Sequence, residues 1–89
     1  MSSVYSMYIF ACAGQPISIQ IYDDSMEPVE NAICLYKDIN KVVESLYNKY
    51  NINIFYITGQ KVYYSRIKEK LEENFAIDIK EVYNDYVAH

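Results

Sequence analysis

The stretch from Asn51 to Tyr83 constrains this 89-residue chain more than any other. Asn51-Ile-Asn-Ile-Phe-Tyr-Ile-Thr-Gly59 is a short, mostly apolar run that breaks at Thr58-Gly59, which reads as a strand. Lys61 to Phe75 follows with Tyr64, Ile67, Leu71 and Phe75 on one helical face. Lys68, Glu69, Glu72 and Glu73 lie elsewhere, and Lys68–Glu72 forms an i,i+4 pair. Ala76 to Val82 reads as a second strand. A helix of this length carries the chain back to the edge it left, so the two strands are expected to lie parallel, joined by a right-handed crossover.

The preceding half supplies the rest of a sheet. Val4 to Ala13 is β-rich and apolar on both faces, as a central strand is, and it stops at Ala13-Gly14-Gln15-Pro16, a tight turn. Ile17-Ser-Ile-Gln-Ile-Tyr22 alternates strictly, with Ile17, Ile19 and Ile21 on one face and Ser18, Gln20 and Tyr22 on the other. These two runs predict an antiparallel hairpin. Asp23 to Pro28 is a second polar turn, and Val29 to Tyr36 reads as a third strand. Asp38 is placed to cap a helix carrying Ile39, Val42, Val43, Leu46, Tyr47 and Tyr50 on one stripe, with Asn51 as a left-handed stop. The expected class is α/β: one domain over residues 1–89, element order β-β-β-α-β-α-β.

Composition excludes some functions. Twelve acidic against eight basic residues give a net charge of −4, which does not suit a phosphate backbone. No apolar run approaches the roughly 20 residues of a membrane span, and Met1 to Ser6 has no basic leader region. Two cysteines in apolar settings, Cys12 and Cys34, suggest neither a disulfide framework nor a metal site. A reduced, cytoplasmic protein is the expectation. Eleven tyrosines without a tryptophan have two readings: the bias of an A+T-rich coding sequence, or half-buried surfaces and interfaces.

Three antiparallel strands followed by two helix-linked parallel strands resemble the ribonuclease H-like and actin-like ATPase superfamily, which implies sheet order 3-2-1-4-5. Locally, Ala13-Gly14-Gln15-Pro16 with Ile17 to Asp23 is similar to the glycine turn and second strand of acetate- and sugar-kinase-type domains. Ile54-Phe-Tyr-Ile-Thr-Gly59 resembles their strand–glycine–helix segment that meets the nucleotide. The carboxylates of that superfamily are missing: Ala11-Cys12-Ala13 stands on the first strand and Thr58-Gly59 after the fourth, leaving Glu44 alone. One carboxylate cannot hold two metal ions, so no catalytic residue, metal or cofactor is expected.

Other constellations read as structure. Asp23, Asp24 and Glu27 match no calcium loop and read as a solvated turn. Cys12 has no base near it in sequence, and His89, the only histidine, is the last residue. Thr58-Gly59-Gln60 lacks the Lys-Ser/Thr of a phosphate loop and reads as a helix cap at Thr58. Tyr5, Tyr8, Tyr22, Tyr36, Tyr56, Tyr63, Tyr64, Tyr83 and Tyr86 offer stacking surfaces but no basic groove, so nucleic acid is not the expected partner.

Crossovers of one hand place both helices on one side of the sheet, leaving the other side open. The expectation is an interface there, built from Phe10, Gln20, Tyr22 and Phe55, most simply a homodimer. The function this implies is a non-enzymatic protein-interaction or self-associating domain, of the kind a phage or mobile element carries as an accessory. The alternatives are a small nucleotide-binding domain using Thr58-Gly59 and an acidic inhibitor that imitates nucleic acid.

Overall fold

The computed structural model describes residues 4–82. Residues 83–89, with Tyr83, Tyr86 and His89, lie outside them. Five strands and two helices form a single mixed sheet in the order β3-β2-β1-β4-β5. The elements are β1 (Tyr5–Ala11), β2 (Ile17–Tyr22), β3 (Pro28–Cys34), a 3₁₀ turn (Tyr36–Asp38), α1 (Ile39–Lys49), β4 (Ile52–Gly59), α2 (Lys61–Phe75) and β5 (Ile79–Glu81). β1 pairs antiparallel with β2, and β2 with β3; β1–β4 and β4–β5 are parallel.

Both helices cover one face. There Met7 and Ile9 of β1, Ile19 and Ile21 of β2 and Ile57 of β4 are fully buried. Ile39, Val43 and Leu46 from α1 and Tyr64, Ile67 and Leu71 from α2 close over them. The two apolar stripes therefore fall where the helical periodicity puts them. Tyr47 keeps an exposed edge yet stacks on Phe55 and Phe75 at 5.7 and 6.4 Å between ring centroids.

Several boundaries differ from the sequence reading. β3 ends at Cys34, because the chain turns into a 3₁₀ segment before α1. Asp38 occupies the cap position without a side-chain bond to the helix. Tyr50, not Asn51, ends α1, and in extended rather than left-handed backbone. Thr58 belongs to β4, and its hydroxyl donates to the Val82 carbonyl at 3.1 Å instead of capping α2. β5 starts only at Ile79, since Ala76 ends α2 in the left-handed region at φ 52°. Ile77 packs against the core from the connection.

Two irregularities set which residues share a face. In β4, Tyr5 pairs with Ile52 but Ser6 with Ile54, so Asn53 is skipped. That bulge puts Ile52 and Phe55 on the same buried side. In β3 a second shift skips Val29, between Ile21↔Glu30 and Tyr22↔Pro28. Glu30 then points to the helix side, where its carboxylate accepts from Lys49 at 2.7 Å and from the Tyr50 hydroxyl at 2.6 Å.

Candidate interaction face

The face away from the helices carries the alternate residues of each strand. β1 contributes Ser6, Tyr8 and Phe10, and β2 contributes Ser18, Gln20 and Tyr22. Asn31 and Ile33 continue the row on β3; Ile54, Tyr56 and Thr58 lie on β4, and Lys80 on β5. Lys80 is the only charged residue among these positions. Solvated sheet faces are ordinarily polar and charged, whereas the centres of protein interfaces are depleted of charge and enriched in aromatic rings.

Three tyrosines form the centre. The Tyr8 ring stacks on Tyr56 at 4.5 Å and meets Tyr22 edge-on at 5.2 Å. Adjacent strands bring Tyr8 opposite Tyr56 and set Gln20 beside it. The Tyr22 hydroxyl donates to Gln20 Oε1, which fixes the amide and ties the rim of the cluster. Burial among these rings, then the neighbouring Tyr56 and Tyr22 hydroxyls, raise the Tyr8 pKa above the ordinary tyrosine value. Phe10, 37% exposed, extends the patch toward the β1–β2 turn, and Ile33, 67% exposed, lies out on the edge strand.

Of the four residues expected here, the structure brings Phe10, Gln20 and Tyr22 onto this face and removes Phe55. Phe55 is 4% exposed, paired with Met7 and covered by Tyr47. Its parity on β4 is that of Ile57, so the helices cover it. The residues missed from sequence were Tyr8 and Tyr56, which a stricter reading of alternation against Ile57 and Ile9 would have found.

The other end of the sheet has its own geometry. Gly59 has φ 115°, and a Cβ built there would lie 2.0 Å from the Ala11 carbonyl oxygen. That space is taken by the β1 backbone, so only a glycine lets β4 lie this close to β1 here. The Gln60 amide donates to Ala11 O at 2.9 Å, and Gln60 Oε1 accepts from the Ala13 amide at 2.6 Å. Thr58-Gly59-Gln60 thus clamps β4 to the end of β1.

The cysteines are free. Cys34 is buried, and desolvation with a lesser push from Asp38 raises its pKa. Glu44 is exposed on α1, and among the described residues no three of His, Cys, Asp and Glu gather as a metal would require. None of their helices is long and apolar enough to cross a membrane. Comparison with protein-family models, with curated proteins and with solved structures gave no match.

Proposed function

We propose that this chain is a non-enzymatic, cytoplasmic association domain that pairs with a second copy of itself through the open face of its sheet. The observation that carries this reading is the row of uncharged strand positions across β3, β2, β1 and β4, centred on Tyr8, Tyr22 and Tyr56, with Lys80 at the β5 edge and Asp23 and Asp24 at the end of β2. Tyrosines give large contact area with few rotors to immobilise, and their hydroxyls keep the face wettable in the free protein.

Area sets the strength expected of the pair. Five strands spaced about 4.8 Å apart, each contributing about five residues of 3.3 Å rise, span roughly 400 Å² in plan. A standard interface buries about 800 Å² per partner. Side-chain relief narrows the gap without closing it, so the dimer belongs at the weak, reversible end. The sheet order is the one a ribonuclease H-like ancestry implies, and the absence of that superfamily's carboxylates from Ala11–Ala13 and Thr58 favours a scaffold kept for binding.

Amide NMR spectra recorded across a concentration series test the reading. Shifts should concentrate at Tyr8, Ser18, Gln20 and Tyr56, and spare the exposed sides of α1 and α2. Shifts that map to the helices, or none up to about millimolar protein, a Kd worth only about 4 kcal/mol, would sink it.

A further inference from the structure

On the helix side, at the carboxyl end of β1, lies a cavity of about 180 Å³ that the association face does not use. Its floor is apolar and buried: Ala11, Ile17 and Ile67. Its rim is formed by the exposed Gln15, Pro16, Leu35, Tyr36, Tyr63 and Arg66, with Cys12 half-buried between rim and floor. A dry apolar cavity of about 150 Å³ accepts a benzene ring, so the space suits one ring bearing a small substituent.

Charge at the rim selects the substituent. Arg66 is the one arginine of a chain whose net charge is −4, and its guanidinium makes no ion pair among the described residues. It stands 5.5 Å from the Tyr36 ring centroid, and Lys70 Nζ sits 4.3 Å from the same centroid. Two cations therefore gather around one tyrosine; Lys70, with Glu69 and Glu73, lines the adjoining groove, and Arg66 alone of these charged groups lines the hollow itself. Guanidinium presents a planar fork that a carboxylate fits with two parallel hydrogen bonds. A short aliphatic acid would satisfy Arg66 but leave the floor and the Tyr36 and Tyr63 rings underused.

We propose that this cavity binds a single-ring aromatic carboxylate, with the ring on Ile17 and Ile67 and the carboxylate on Arg66. The site is separate from the sheet face, so it stands or falls independently of the dimer. Sodium benzoate is the probe, with benzamide as the neutral isostere and acetate as the ringless acid, all at constant ionic strength and followed by amide and methyl NMR. Benzoate should give saturable shifts at Ala11, Ile17 and Ile67. Benzamide should bind about tenfold more weakly, the worth of a hydrogen bond to a charged group, and acetate should leave these residues unmoved. Arg66→Gln should weaken benzoate about tenfold and leave benzamide unchanged. Leu35→Trp, at an exposed rim position, should fill the hollow and abolish both while the spectrum stays folded. Equal binding of benzoate and benzamide, an Arg66→Gln variant with unaltered benzoate affinity, or unsaturable shifts scattered over the surface would overturn the proposal.

Discussion

Gly59 and Ala76 make opposite demands on their side chains. At Gly59 any Cβ would collide with the Ala11 carbonyl at 2.0 Å, and that atom is backbone in the parallel β1–β4 ladder. Gly59→Ala should therefore cost more than about 3 kcal/mol, as strain at a special backbone position adds to lost pairing. Chemical denaturation would read this as a lower midpoint; an unchanged midpoint would contradict the close approach. Ala76 holds φ 52° at the end of α2, a conformation that an L-residue adopts at a cost. Ala76→Gly should stabilise by about 0.5–1 kcal/mol, measurable in the same experiment. Neither position was legible in advance for the right reason. Thr58-Gly59 reads as a cap or an anion loop, because a sequence does not reveal which backbone will lie against a glycine. Ala76 reads as strand, because alanine carries no mark of left-handed backbone.

At the scale of elements, Glu72 joins α2 to β5. Its carboxylate accepts the Ile79 amide at 3.0 Å, and Lys68 Nζ lies 3.1 Å away. The Ile79 amide first, and Lys68 after it, hold its pKa below the ordinary value against the pull of desolvation. A depressed carboxylate stabilises the fold above its unfolded pKa, about 4.3, and loses that contribution as pH falls through the folded value. Glu72→Gln should thus lower stability by about 1 kcal/mol at neutral pH, and its melting curve should converge on that of the parent toward pH 3. A gap that persists or widens in acid would refute the contact. The i,i+4 pair with Lys68 could be read from spacing alone, as could both helical stripes and the alternation of β2. The bulges at Asn53 and Val29 could not, since nothing local distinguishes a skipped residue from a paired one. Phe55 was expected on the wrong side for another reason: β4 is apolar on both faces, and its parity with Ile57 puts it under Tyr47, while the bulge decides only the side of Ile52.

For the whole molecule, the sheet order is the one implied by the resemblance in element order, the single covered face follows from crossovers of one hand, and the structure has both. The open face follows too, although its centre lies at Tyr8 and Tyr56, with Gln20 and Tyr22 beside them. The central claim is that copies of the chain meet there. Sedimentation equilibrium over a wide concentration range tests it most directly, on the parent protein, on Gln20→Lys and Phe10→Lys, and on Val62→Lys as a control. Val62 is 73% exposed on α2, away from the open face. The parent and Val62→Lys should show the same reversible monomer–dimer equilibrium, while a lysine at Gln20 or Phe10 should weaken it at least tenfold, because like charges would face each other across a symmetric interface. A parent that stays monomeric at the highest concentration, or a control that dissociates as readily as the face variants, would contradict the account.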